Sequence, residues 1–191
     1  MAQVAEITEL LDRCRAGDDA ARNAVFESLY PELKRLAASK LFVSPSGGAI
    51  TPTVLVHDVF VRMIGNQRLD LVSRHHFFAS AAKAMRHILV DRARRASAEK
   101  RGGRDRRVTF TEGLASEFRG ATWLDLDRAL DELARVDARA HRIVELRFFA
   151  GLTADDTAEM LEISTTTLHR DWQRARAFLH TRMDSSTEAP A

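Results

Sequence analysis

A chain of 191 residues holds one ordinary domain or two small ones, and 45% hydrophobic residues with only nine Gly and four Pro mark it as folded over most of its length. Twenty-nine Lys and Arg against 27 Asp and Glu leave a formal charge of +2, so charge bears on partners only where it segregates along the chain. The lone Cys14 excludes an intramolecular disulfide and fits a reducing cytoplasm, Glu6, Glu9 and Asp12 interrupt any signal-peptide core, and no run approaches the roughly 20 apolar residues of a membrane span.

Val4, Ile7, Leu10, Leu11 and Cys14 share one helical face, which predicts a first helix over 4–15 stopping at Gly17. Asp18 or Asp19 caps a second helix, with Ala20, Ala24, Leu29, Leu33, Leu36 and Leu41 among its apolar positions; Tyr30-Pro31 either kinks it or starts a new segment. Ser44 to Gly48, SPSGG, reads as a loop. Thr53 to Ile64, TVLVHDVFVRMI, is rich enough in valine for a buried strand, but no partner strand is visible nearby and it reads as helix.

Ser73 to Arg95 is the longest predicted helix. Phe77, Ala81, Ala84, Met85, Ile88 and Leu89 form its apolar stripe, and Lys83, Arg86, His87, Arg94 and Arg95 lie largely off it. From Lys83 to Arg107 ten cations stand against three acids, an excess of +7 in a nearly neutral chain. A merely solvated face mixes its signs more evenly, so the segment points to a polyanion. Ser97 to Thr122 contains Gly102-Gly103, Gly113 and Gly120, loses helical periodicity and reads as a linker, partly extended at Arg107 to Thr111. Helix resumes over Asp125–Leu133 and Asp137–Phe149, where Leu126, Leu130, Leu133, Ile143, Val144, Leu146 and Phe148 supply an apolar bed for the C-terminal segment.

Gly151 to Leu179 predicts two helices joined by a turn of about three residues. Thr153 caps the first, Asp155 and Asp156 sit on its positive-dipole turn, and Ala158, Leu161 and Ile163 face inward. Ser164 or Thr165 caps the second, whose apolar positions Leu168, Trp172, Ala175 and Leu179 fall at helical spacing. Its other face carries Thr166, His169, Arg170, Gln173 and Arg174, side chains long and polar enough to reach phosphates and base edges. The pair is a helix-turn-helix with a readable face; the tail from Asp184 is expected to be disordered.

The stretches TPTVLVHDVFVRM (51–63), FFASAAKAMRHILVDRARRASAEKRGG (77–103) and LRFFAGLTADDTAEMLEISTTTLHRDWQRARAFL (146–179) together resemble a bacterial RNA polymerase sigma factor of the extracytoplasmic-function (ECF) type, over nearly the whole chain. The resemblance implies an all-α protein of two small helical domains joined by a flexible linker. The N-terminal domain would span 1–96, the linker 97–124, the helix-turn-helix domain 125–183 and the tail 184–191. It also implies binding to core RNA polymerase and its direction to specific promoters. The Val54–Met63 helix matches the surface that docks on the clamp of the largest polymerase subunit, which makes His57, Asp58, Phe60 and Arg62 the contact residues. The Phe77–Arg95 helix matches the element that engages and helps open the minus-ten promoter element, which assigns Lys83, Arg86, His87, Arg94 and Arg95 to DNA. Phe77 and Phe78 offer π-faces to an unstacked base, although a core position is the preferred reading for both. Thr166, His169, Arg170, Gln173 and Arg174 match the reader of the minus-thirty-five element, and the linker would thread toward the RNA path.

The implied partners are core polymerase and promoter DNA, with an anti-sigma factor common in the family. No catalysis, cofactor, metal, membrane or small-molecule substrate is expected. Two positions depart from the pattern: Glu162 stands where the turn usually has Gly, and His57-Asp58 replaces a common Gln-Glu. Two other functions compete. An enzyme would need the histidines, His57, His75, His76, His87, His141, His169 and His180, to belong to a metal or nucleophile motif, and no HExxH, paired cysteines or Gly-rich phosphate loop accompanies them. A stand-alone operator-binding regulator fits the C-terminal helices equally well but leaves the second polyanion-facing helix without a purpose.

Overall fold

The computed structural model describes residues 2–41, 50–65, 73–99 and 123–184, and among these every regular element is helical. The expected loop over 44–48, the extended stretch over 107–111, most of the linker and the tail after Asp184 lie outside the described residues.

Helix α1 (Ala2–Arg15) ends at Gly17, whose φ of +90° is the left-handed conformation that a stop requires. Asp18, not Asp19, then caps α2 (Asp19–Lys40): its Oδ1 accepts from Ala21 N–H at 3.0 Å, and its Oδ2 accepts from Arg13 Nε and Nη2 at 3.0 and 2.7 Å. Those hydrogen bonds, led by the one from Ala21, hold the Asp18 carboxyl below its ordinary pKa. α2 continues through Pro31. Leu29, Leu33 and Ala37 are fully buried on either side of it, and their packing outweighs the one backbone hydrogen bond that proline removes.

In α3 (Pro52–Gly65), Thr51 Oγ1 accepts from Val54 N–H at 3.2 Å and starts the helix. Leu55, Val56, Val59 and Met63 are buried at helical spacing against α2 and α4, so tertiary packing overrides the strand preference of the valines. α4 (Arg74–Glu99) begins where Ser73 Oγ accepts from His76 N–H at 3.2 Å, and it runs past the predicted end at Arg95. Phe26, Phe60, Phe77 and Phe78 form an edge-to-face chain: the Phe26 ring centre lies 4.6 Å from that of Phe60 and 5.0 Å from that of Phe77, and Phe77 lies 5.6 Å from Phe78. Phe77 and Phe78 are core residues.

α5 (Trp123–Val136) is followed by α6 (Ala138–Val144), capped by Asp137, which accepts from Ala140 N–H at 2.9 Å. α6 widens into a π segment (Glu145–Phe149), closed by Ala150 N–H donating to Glu145 O at 3.0 Å. The sequence explains the widening. Leu146, Phe148, Phe149 and Ala150 are all buried, an arc too broad for one side of a regular α-helix, and the extra residue in the turn rotates both phenylalanines inward. α7 (Ala154–Met160) and α8 (Thr165–Asp184) complete the chain. α8 rests on α5, α6 and α7.

The first four helices and the last four pack against each other: α5 and the π segment lie on α4, and one apolar cluster takes in residues from Ile7 to Met183. Gly151, at φ +69°, brings its backbone so close to α2 that a Cβ there would stand 3.2 Å from Leu36 Cδ1. Lys40 Nζ lies 4.3 Å from the Phe148 ring centre, and burial pulls its ammonium down to about 8. His75 Nε2 approaches Asp156 Oδ1 at 3.7 Å.

The most buried polar link between the halves is Arg86 of α4, only 6% exposed. Its Nε and Nη2 donate to Asp127 Oδ1 at 3.0 and 2.7 Å, and Nη2 donates to Asp131 Oδ1 at 3.0 Å. Nη1 lies 3.3 Å from His141 Nε2 and 3.8 Å from Glu145 Oε1. Desolvation lowers the His141 pKa against the pull of Glu145, and because a guanidinium only donates, Nε2 is the acceptor toward Arg86. Asp127→Ala leaves this guanidinium short of its main counter-charge and should lower unfolding stability by about 3 kcal/mol in urea denaturation. Pairing that change with Arg86→Met should recover most of the loss.

Candidate nucleic-acid interface

Helix α7 is fixed at both ends, and so is the turn that leads from it to α8. Thr153 Oγ1 accepts from Asp156 N–H at 3.1 Å while Asp156 Oδ2 accepts from Thr153 N–H at 3.3 Å, a reciprocal capping box. Hydrogen bonding from Thr153, first its side chain and then its backbone N–H, holds the Asp156 carboxyl below its ordinary pKa against desolvation. At the far end of α7, Glu162 N–H donates to Glu159 O at 3.1 Å and Ile163 N–H to Ala158 O at 3.0 Å, the paired bonds of a Schellman stop. Ser164 supplies the cap of α8, its Oγ accepting from Thr167 N–H at 3.1 Å. Ile143, Ala158 and Leu168 are buried together, with Ile163 and Trp172 packed on them; the small Ala158 lets the two helices approach.

Glu162 has φ +54°, the only positive value on a non-glycine among the described residues. The left-handed turn suggested by its position is real, and a side chain there costs about 1 kcal/mol.

With the helices so placed, Thr166, His169, Arg170, Gln173 and Arg174 all stand on the exposed side of α8. His169 Nδ1 lies 2.7 Å from Thr165 O, a carbonyl that only accepts, so Nδ1 carries hydrogen and Nε2 faces outward. Beneath this face lies Asp171, fully buried. Its Oδ2 accepts from Arg139 Nε and Nη2 at 2.8 and 2.7 Å. Its Oδ1 has no hydrogen-bond partner but lies 3.6 Å from Arg170 Nε and 3.7 Å from Arg174 Nη1. Arg139, on α6, is exposed beside α8 and was not among the residues singled out from the sequence. Its only sequence signal was a place in a helix assigned to packing.

The α4 residues divide. Lys83, Arg94 and Arg95 are exposed and His87 is half-buried, with desolvation and then Arg62, Arg86 and Lys83 lowering its pKa. Arg86 departs from the surface position expected of it, because its guanidinium sits among Asp127, Asp131 and Glu145. Arg94 reaches the same Asp127, donating from Nη2 to Oδ2 at 3.1 Å.

On α3, His57 and Arg62 are exposed and Asp58 is half-buried, accepting from Arg92 Nη2 at 2.9 Å. Arg62 Nη1 lies 3.4 Å from Asp91 Oδ2. Phe60 is half-buried and packs edge-on against Phe26 in the aromatic chain. Val54 and Val61, 43% and 56% exposed, lie in the outer stripe with His57 at i, i+3, i+7, a helical spacing that marks them in the sequence although they were not among the expected contact residues.

Among the described residues no group of three or more His, Cys, Asp or Glu is arranged to hold a metal ion, and no helix is long and apolar enough to cross a membrane. A family model described as ECF sigma factor matches residues 4–185. No curated protein matches the chain.

Glu162→Gly removes the strained side chain and should raise stability by about 0.5–1 kcal/mol. At this chain length calorimetry should read that as a Tm increase of about 1–4 °C.

Proposed function

Because the chain belongs to the ECF sigma factor family, and so is a sigma factor that binds core RNA polymerase and directs it to specific promoters, we propose that its helices divide that work by surface. α8 reads the minus-thirty-five element through Thr166, His169, Arg170, Gln173 and Arg174. The observation that carries this assignment is their joint exposure on one side of a helix whose other side is anchored in the core. α4 holds the minus-ten element through Lys83, His87, Arg94 and Arg95, with Arg86 reaching DNA only if it leaves its carboxylates. α3 docks on the clamp of the largest subunit through His57, Asp58, the half-buried Phe60 and Arg62, flanked by Val54 and Val61. Residues 1–96 and 125–183 act as the two domains of this scheme, joined by the linker between them, and the protein works in the cytoplasm.

Two facts favour it. The outer faces of α4 and α8 both present cations, and the exposed valines of α3 give a protein partner apolar area that a phosphate backbone would not use. The carboxylates of Asp127, Asp131 and Glu145 occupy positions around Arg86 that DNA phosphates would otherwise take. Promoter engagement by α4 therefore competes with the contact between the two halves.

The test is run-off transcription with bacterial core polymerase on the promoter regions of the source genome, with and without this protein. Start sites that appear only with the protein are expected. On a promoter so recovered, Arg170→Ala and Arg174→Ala should each weaken selective recognition by about 1–3 kcal/mol where the side chain contacts a base. No stimulation and no co-purification with core polymerase would overturn the scheme.

A further inference from the structure

We infer that Asp171 is a positioning residue of the DNA-reading surface: a buried carboxylate that gathers Arg139, Arg170 and Arg174 and presents them to the promoter. The inference rests on the assignment of α8 to promoter DNA and adds a residue that does not itself touch the nucleic acid.

A fully buried carboxylate needs compensation, and an apolar side chain at the same place on α8 would stabilise the fold at least as well. Asp171 therefore does something that packing does not require. Its two oxygens behave differently. Oδ2 is taken by Arg139, in two hydrogen bonds that tie α6 to α8. Oδ1 is buried and accepts no hydrogen bond, yet it lies 3.6 Å from Arg170 Nε and 3.7 Å from Arg174 Nη1.

At those distances a carboxylate attracts a guanidinium without using its N–H donors. Arg170 and Arg174 sit one turn apart on the exposed face and both are drawn toward Asp171, while the other nitrogen of Arg174, Nη2, lies 3.9 Å from Asp137 Oδ2, also beyond hydrogen-bond distance. Their forks stay free for base edges and phosphates, while the freedom lost on binding is partly given up beforehand. Arg139 enters the same cluster from a different helix, so Asp171 also sets the register of α6 against the reading face.

The experiment uses the full chain assembled with core polymerase, on a promoter recovered by run-off transcription and on competitor DNA lacking it. Asp171→Asn keeps the shape and removes the negative charge. A carboxylate that only repelled nearby phosphates would, when neutralised, let the protein bind both DNAs more tightly, with a steeper salt dependence. Under positioning, promoter affinity falls while competitor affinity holds or rises, and the ratio of the two drops roughly tenfold.

Thermal melting followed by circular dichroism reports whether the variant is folded at the assay temperature. Should it melt, Arg139→Gln takes its place: it keeps the carboxylate, removes its bonded partner, and should lower the ratio in the same direction. An unchanged ratio in the folded variant overturns the inference. Arg170→Ala and Arg174→Ala run in parallel separate the two levels. If they lose selectivity while Asp171→Asn does not, only positioning fails; if they too match wild type, the assignment of α8 itself fails.

Discussion

A guanidinium cannot lie unpaired in an apolar interior, and Arg86 is such a guanidinium. It projects from the middle of α4, where Phe77, Ala81, Met85 and Leu89 have already committed the neighbouring positions to the core. The chain meets the requirement from far away in sequence, with Asp127 and Asp131 on α5 and Glu145 and His141 on α6 and its π continuation. Those partners can surround Arg86 only when α5 and the π segment lie against α4. The π segment serves the same end: by turning Phe148 and Phe149 inward it puts an aromatic face under Lys40 and brings Glu145 to Arg86.

That dependence gives the contact between the halves its character. Its apolar component, one continuous cluster, is indifferent to charge, whereas its polar component consists of the kind of cation that nucleic acid attracts. Arg94 shows the conflict in a milder form, being largely exposed while one nitrogen donates to Asp127. Carboxylates are chemically close to phosphates as acceptors, so under the proposed promoter contact the acids of α5 and the π segment would compete with a duplex for the cations of α4. Salt weakens both alternatives, but the buried pair is screened less than an exposed phosphate contact.

Much of the helical framework was legible in the sequence because its signals are local. Gly17, Asp18, Thr153, Ser164 and the departure at Glu162 each act within a turn of their own position, and each marks a boundary or strain found in the structure. The exposed face of α8 was legible for the same reason, since a 3.6-residue period assigns both sides of a helix at once. What escaped depends on partners distant in the chain. Arg86 looks like its neighbours Lys83 and Arg94 until Asp127, 41 residues on, closes over it. The adjacent phenylalanines at 148 and 149 look like ordinary helix until both must be buried. The SPSGG and KRGG stretches fall outside the described residues.

Among the described residues the charged side chains that are buried number three, Arg86, Asp127 and Asp171, and they solve opposite problems. At Arg86 the cation is inside and the carboxylates close on it at 2.7–3.0 Å, which consumes its donors. At Asp171 the anion is inside and two of its three cations stay outside at 3.6–3.7 Å, which leaves theirs free. Less than an ångström separates the two regimes, but it is the difference between a hydrogen bond and an attraction without one. The first arrangement withdraws an arginine from solvent to join the two halves of the molecule. The second holds arginines at the surface in a fixed cluster, which is what a helix needs if it is to meet a regular array of phosphates and base edges with its side chains already in place.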